Sequence, residues 1–559
     1  MARIVAAIDF GTHGTGFAWA FSSAREDEPG HRTIYTFDDW TDQPASYVKN
    51  LSAILLDGSG DVLAWGYEAR RLFEAGAAEH GDHTYAERFK MGLLPAEIAE
   101  PGESSVPARP GPSPRTLVTA YLRGFYRFAL EQITTGSRVG EDEIQWCLTV
   151  PAIWGDRERG IMRECAVAAG LPADPERLLI AVEPEVAALY CRFETGYSEV
   201  AAVGDRFMVV DAGGGTVDLT AYEKTADGLT EIGYVDGGSF GSTYIDRYLL
   251  DTVFAPRLGA GFVDEARRRE PRAFAGLMDD WERCKRGFNP GLKLPTVLQF
   301  SYQLFKLLTE ADRRTLGELQ NGVDDAIVLT PDEMVALFDH VVEPTLDLVD
   351  DQLRKIGRRS VDRVLLVGGL AQSPYLQQRL REHLRHRAEV VIPPKPSWAV
   401  LRGAVHYGLN PAAIAGRRSR FTYGVAVALP FDAMRDREDY KLTKYDGTLM
   451  CNNRFDVFVE TGDVVAPGHT VVRAYYPIYR DQVEMSLCLF TSEVKQPRFT
   501  TDSSCREAGR LTMDMSATVS QRPRERCIEL TMSFGGTEIE AVARDTKTGR
   551  QIGTSIRFT

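Results

Sequence analysis

A chain of 559 residues, 44% hydrophobic and 26% charged, has the composition of a globular protein, with room for about three or four domains. Its 65 basic residues against 79 acidic ones give a net charge of −14, which argues against a nucleic-acid surface, because phosphate-backbone binding draws on clustered Lys and Arg. The N-terminal apolar run stops at Asp9, no stretch approaches the ~20 apolar residues of a membrane helix, and the eight cysteines contain no C-x-x-C pair. A cytoplasmic protein without membrane contact, disulfide framework or zinc site is expected.

Up to about residue 412, short β-branched runs alternate with helical patterns, which predicts an α/β fold. Ile4 to Ile8 is a near-continuous apolar strand that enters a Gly-rich turn led by Asp9. His80-x-x-His83 has ligand spacing, but Gly81 and Asp82 between them favour a polar loop over a metal site. Pro95 to Arg115, with six prolines, reads as an exposed loop. Val118, Leu122, Phe125, Ala129 and Ile133 share one helical face. Phe207 to Val210 is a second apolar strand, again running into a turn led by an aspartate, Asp211. Thr330-Pro-Asp-Glu333 is a capping box with Pro at the first helical position, predicting a helix to Gly357 with a bend at Pro344. Arg363 to Val367 is a third apolar strand, and Arg379 to Arg387 reads as a solvated helix face backed by Leu380 and Leu384. Gly416-Arg-Arg-Ser-Arg420 reads as a basic, flexible connector. Beyond it, alternating segments predict an all-β module. Cys527 to Phe534, Gly535-Gly536 and Thr537 to Ala543 form a hairpin signature, and the turn Asp545 to Gly549 leads to Ser555 to Phe558.

The chemistry lies in an internal echo about two hundred residues apart: Asp9-Phe-Gly-Thr-His-Gly-Thr15 and Asp211-Ala-Gly-Gly-Gly-Thr-Val-Asp218. Glycines let successive backbone N–H groups turn toward one anion, and Thr hydroxyls add donors. A carboxylate opening each loop, Asp9 and Asp211, suits Mg²⁺, which takes few direct protein ligands and keeps several waters. One such loop alone reads equally as a tight turn with a solvated Asp; two copies, each behind an apolar strand, favour phosphate binding. The third strand ends in Val367-Gly-Gly-Leu-Ala-Gln-Ser-Pro374, where a Gly pair admits a flat ligand at the carboxyl end of a sheet.

In this order the three elements resemble the actin-like ATPase superfamily. Further segments narrow the resemblance to the seventy-kilodalton heat-shock protein (DnaK-type) family: Leu148-Thr-Val-Pro-Ala-Ile-Trp154, Val182-Glu-Pro-Glu-Val-Ala-Ala188, Gly241-Ser-Thr-Tyr-Ile-Asp246, Trp281-Glu-Arg-Cys-Lys-Arg286 and Pro396-Ser-Trp-Ala-Val-Leu-Arg-Gly-Ala404. Phe89-Lys-Met-Gly92 and Arg417-Arg-Ser-Arg-Phe-Thr-Tyr-Gly424 look most like its divergent twelfth "A" branch. The resemblance implies an α/β, two-lobed actin-like ATPase domain with duplicated sheets and a nucleotide cleft, followed by a small C-terminal β-sandwich-like domain. Lobe I would span 1–196 with an insertion at about 39–116. Lobe II would span 197–412 with an insertion at about 234–324, and 395–412 would return to lobe I. A basic linker, 413–420, would precede the β-domain, 421–559.

The same resemblance implies ATP or ADP with Mg²⁺ as ligands and slow ATP hydrolysis, with a peptide or protein client bound by the β-domain. Lys90 matches the family's catalytic lysine, and Glu183 the acid that orders water near the metal. Asp9 and Asp211 match the carboxylates flanking Mg²⁺, through water, and Thr216 and Asp218 the hydroxyl and acid on the attacking water's side. Gly11, Thr12 and His13 fall in the first phosphate loop, and Gly213, Gly214, Gly215 and Thr216 in the second. Gly241 falls in a further nucleotide-contacting segment. Glu282 and Lys285 match nucleoside contacts, while Gly368, Gly369 and Gln372 lie under the nucleoside.

Departures from the family pattern imply weaker nucleotide binding. His13 and Gly14 replace a Thr and an aromatic residue, Gln372 stands for an Arg that stacks on adenine, and Asn289 replaces a Ser. The acidic, Leu-rich interdomain linker is missing, and the chain ends at Thr559, near the end of the β-domain, so a helical lid is expected to be absent. A nucleotide-gated scaffold that recruits a partner without a chaperone cycle is therefore the alternative function. A small-molecule kinase is disfavoured by the C-terminal β-domain. Cys284 reads as a packing residue.

Overall fold

The computed structural model describes residues 2–22, 32–43, 46–76, 83–94, 111–194, 202–259, 261–357, 361–535 and 539–555. Two compact units emerge, one of 1–153, 163–221 and 235–411, the other of 154–162, 222–234 and 412–559. No helix among the described residues is long and apolar enough to cross a membrane.

The first unit is built on two mixed sheets. In the first, β1 (Ile4–Phe10) is buried along its whole length, which is why Ile4 to Ile8 is an apolar run and only Asp9, at its end, is charged. It pairs antiparallel with β2 (Gly14–Phe21) across the glycine turn. Next comes α1 (Pro114–Ser137), capped by Ser113, whose Oγ accepts from Thr116 N–H at 3.2 Å. Its predicted stripe, Val118, Leu122, Phe125, Ala129 and Ile133, is buried as expected. The helix starts at Pro114, inside the segment read as a loop; residues 95–110 of that segment and His80 lie outside the described residues. Then β3 (Ile144–Val150) runs parallel to β1, and β4 (Leu178–Val182) parallel to β3. α2 (Glu183–Glu194) begins where β4 ends, which puts Glu183 at a strand's carboxyl end.

The second sheet repeats the device. β5 (Arg206–Ala212) is followed by the second glycine turn and β6 (Val217–Lys224), its neighbour in the sheet. Two helices then approach the same region, α3 (Ser242–Leu249) and α4 (Pro271–Gly287). α5 (Pro331–Ile356) has the predicted capping box of Thr330 and Glu333, and runs as one helix through Pro344 to Gly357 (φ +83°). β7 (Arg363–Val367) lies parallel to β5, and α6 (Ala399–Leu409) returns to pack on α2 and β1. The basic run 379–387 presents the expected solvated face: Arg381, Arg385, His386 and Arg387 are exposed, with Leu380 and Leu384 buried behind them. Three of its basic side chains are also paired with acids of α5, Arg379 with Asp339 at 2.7 Å, and Arg387 and His383 with Asp350 at 2.5 and 3.0 Å. The partners lie some forty residues upstream, where no local pattern reveals them.

In the second unit, the residues read as a flexible connector form a strand, β8 (Ile414–Arg418). It pairs parallel with Leu229–Glu231 and antiparallel with Val464–Val465. Its basic residues have fixed acceptors: Arg418 N–H donates to Glu231 Oε2 at 2.6 Å, Arg418 Nη1 to Gly462 O at 2.8 Å, and Arg417 Nη1 to Gly535 O. Distant acceptors turn a charge run that looks solvated into an ordered element. The strands that follow are β9 (Thr422–Pro430), β10 (Leu449–Val459), β11 (His469–Tyr475), β12 (Glu484–Ser492), β13 (Cys505–Asp514), β14 (Ile528–Phe534), β15 (Glu540–Asp545) and β16 (Gln551–Ser555). One sheet has the order Lys441–Thr443, β10, β9, β12, β13, and the other β11, β14, β15, β16. Alternate residues Ile528, Leu530, Met532 and Phe534 join Met485, Leu487 and Leu489 of the other sheet in one apolar core. β14 and β15 pair antiparallel, as the hairpin signature predicts. The last strand starts at Gln551, earlier than Ser555, and 556–559 lie outside the described residues.

Candidate functional site

Each sheet of the first unit delivers an acid and a glycine turn to one cavity of about 220 Å³. After Asp9, Gly11 N–H donates to Gly14 O at 3.1 Å; after Asp211, Gly213 N–H donates to Thr216 O at 2.9 Å. The amide two residues beyond each Asp therefore closes the same turn in both copies. The turns meet face to face: a Cβ on Gly215 would stand 2.4 Å from Thr12 Oγ1, so that position has room for nothing larger than hydrogen. Gly368, at φ +91°, closes the strand end beneath them, and a Cβ there would lie 2.4 Å from both Ala212 O and Asp211 Oδ1.

Around these turns the cavity gathers most of the residues singled out from sequence. Asp9, Gly11, Thr12 and His13 line it from the first turn, and Asp211 and Gly213 through Thr216 from the second. Lys90 and Glu183 form a buried ion pair at 2.8 Å on its floor, with Lys90 only 2% exposed. Glu282 and Lys285 reach it from α4, and Gly368, Gly369 and Gln372 from the end of β7. Two residues stand behind the wall instead. Asp218 accepts from Ile153 N–H at 3.0 Å, and Gly241 N–H donates to Gly215 O at 3.1 Å, so Gly241 braces the second turn from outside.

No protein-family model matches the chain. It is 30% identical over 630 residues to heat shock 70 kDa protein 12A of Homo sapiens, covering 99% of this chain and 91% of that protein. Over 635 residues it is 30% identical to heat shock 70 kDa protein 12B of Homo sapiens, with the same coverage. The chain belongs to the seventy-kilodalton heat-shock protein family, beside 12A and 12B. Chaperone protein DnaK of Endomicrobium trichonymphae is 26% identical over 272 residues, 48% of this chain and 40% of that protein. The mixed α/β sheets, each with its Asp-led turn, accord with the actin-like ATPase fold of this family.

Within that family frame, the electrostatics of the cavity follow from burial. Asp211 is pushed well above the usual carboxylate range by burial first, then by Glu183 and Asp218. Burial and Glu183 likewise raise Asp218 to about 7, against hydrogen bonds from Thr216 and Ile153. Glu183 is raised by burial despite Lys90 beside it. These acids repel one another, which is the condition a divalent cation relieves. Among the described residues, no three His, Cys, Asp or Glu side chains converge as a ready-made metal cage. Burial lowers His13 below the ordinary histidine range, which keeps the ring neutral, with one N–H to donate.

Several cavity residues were missed from sequence. Lys49 Nζ lies 2.6 Å from Asp9 Oδ2. Asp246 Oδ1 accepts from Lys285 Nζ at 2.6 Å and from Trp281 Nε1 at 2.9 Å, while Arg88 reaches its Oδ2 at 3.1 Å. Lys285 also meets Glu282 Oε2 at 2.7 Å, and Arg286 Nε donates to Glu282 Oε1 at 2.7 Å. Burial opposes the charged form of Glu282, yet Lys285, aided by His13 and Arg286, outweighs it and holds the carboxyl down at about 2. The one signal for Lys49 is a lysine a few residues ahead of the apolar run Ala53 to Leu56.

Proposed function

We propose that the cavity binds ATP and ADP with Mg²⁺ and that the chain is a slow ATPase, built as a two-lobed actin-like domain followed by a β-sandwich that binds a peptide or protein partner. The observation that carries this reading is the pair of matched glycine turns meeting over one cavity, each led by a carboxylate. Backbone N–H groups of Thr12 and His13 and of Gly214 and Gly215, inside turns closed by the Gly11 and Gly213 amides, would hold the phosphate chain from two sides. Asp9 and Asp211 would hold Mg²⁺ through its waters, and the bound ion supplies charge neutralisation to the phosphates. Lys90, seated on Glu183, would place a positive charge at the terminal phosphate. Glu183 and Thr216 would orient the attacking water, with Asp218 acting from behind the wall through its hydrogen bond with Thr216. Glu282, Lys285, Gly368, Gly369 and Gln372 would form the nucleoside end. In an acidic chain this is how a polyanion is held: by local backbone donors, a metal and a few placed cations.

Phosphate release measured with and without Mg²⁺ tests the catalytic assignment. Lys90→Ala and Asp211→Asn are each expected to lower the rate by about a hundredfold or more. Release that stays at the wild-type rate in both variants would contradict the site.

A second reading, a nucleotide-gated scaffold without a chaperone cycle, is favoured by one feature. Where the family's acidic coupling linker is expected, the chain has the ordered basic strand β8. Stimulation of ATP turnover by an unfolded peptide supports the chaperone-like reading; tight ATP binding without stimulation supports the scaffold.

A further inference from the structure

The segment carrying Lys49 is fixed to the back of the first glycine turn. Gln43 Nε2 donates to the Lys49 carbonyl at 2.9 Å, and Asn50–Leu51 pairs with Thr15 and Gly14 of β2. Ser52 adds two bonds, its N–H to His13 O at 3.0 Å and its Oγ to Gly11 O at 2.7 Å. From this anchor the Lys49 side chain lies along the turn. Its Cβ and Cγ come within 3.2 Å of where Cβ atoms on Gly14 and Gly16 would stand, so the glycines leave it a path. The chain ends with Nζ on the cavity wall, 2.6 Å from Asp9 Oδ2, and the side chain is 19% exposed.

The two acids that open the turns are therefore not equivalent. Asp9 has a cation built in, and its other oxygen accepts from Thr149 Oγ1 at 3.1 Å. Asp211 has no cationic partner among the described residues.

We propose that Lys49 is a phosphate-binding residue of this site: its ammonium, held on Asp9, takes a terminal phosphate oxygen and adds to the metal's charge a second, permanent positive charge on the Asp9 side. The inference rests on the nucleotide reading above. An ammonium is a compact point charge that suits a phosphate oxygen without demanding a fixed fork geometry. Nucleotide binding should then survive in part when Mg²⁺ is withdrawn.

Calorimetric titration of the full chain with ADP, in Mg²⁺ and in EDTA, tests this. Wild type is expected to keep measurable affinity in EDTA. Lys49→Met is expected to lose about tenfold or more in EDTA but only about threefold in Mg²⁺, and Lys49→Arg to keep most of the EDTA affinity. Because Lys49→Met leaves Asp9 buried without its cation, the Lys49→Met/Asp9→Asn pair serves as a neutral control, with the thermal midpoint of each variant as the check on folding. If Lys49→Met binds ADP in EDTA as wild type does, or if Met and Arg lose equally, the assignment is overturned. Wild type that binds only in Mg²⁺ removes the role of Lys49 while leaving the nucleotide reading standing. Wild type that binds in neither buffer removes both.

Discussion

At Asp218, burial and Glu183 raise the carboxyl to about 7, against a value near 3.8 for an unperturbed aspartate. The folded chain thus holds a proton between those values that the unfolded chain releases. Stability must fall as pH rises through that window, by at most about 1.4 kcal/mol per pH unit from this one group. Asn at 218 cannot titrate, so Asp218→Asn in EDTA is expected to gain stability relative to wild type between pH 5 and pH 8. Urea unfolding at the two pH values measures the difference, and parallel behaviour of the two proteins would contradict the buried, mutually repelling acids. Legibility at this scale divides by sequence distance. Asp9, Asp211 and the glycines beside them carry their chemistry in a local pattern. The positions of Lys90 and Glu183 were legible through family resemblance, whereas their 2.8 Å pairing was not. Lys49 and Asp246 owe their place to partners 40 and 39 residues away, Asp9 and Lys285, and a single lysine or aspartate announces no such partner.

Among the elements, those with complete local signals were readable. α5 is the clearest case, because its cap, its first-turn proline and its closing glycine are all contiguous in sequence. α1 and the β14–β15 hairpin were legible for the same reason, through a helical stripe and an alternating strand pair. β8 failed that test. Its composition is that of a linker, and its strand character comes from pairing with Leu229–Glu231, nearly two hundred residues upstream. Hydrogen exchange separates the two descriptions. Amides of 415–418 are expected to exchange at least about a hundredfold more slowly than an unstructured peptide, since ladder hydrogen bonds must open first. Exchange at the rate of a free chain would contradict the pairing.

For the molecule as a whole, a net charge of −14 and a polyanion site are compatible because the cations are concentrated where they are needed. Lys49, Lys90, Lys285 and Arg286 all line one cavity, each against an acid that holds it in place. Bulk charge therefore argues against an extended nucleic-acid surface and says little about a small phosphate pocket. The central claim is that two facing glycine turns grip the phosphates of one nucleotide. Titration of wild type and Gly215→Val with ATP and Mg²⁺ by calorimetry tests it most directly, since a side chain at 215 would meet Thr12 where the turns face each other. Wild type is expected to bind one nucleotide per chain, and Gly215→Val to bind about a hundredfold more weakly, a loss of about 2.7 kcal/mol. No binding by wild type, or equal affinity in the two proteins, would contradict the account.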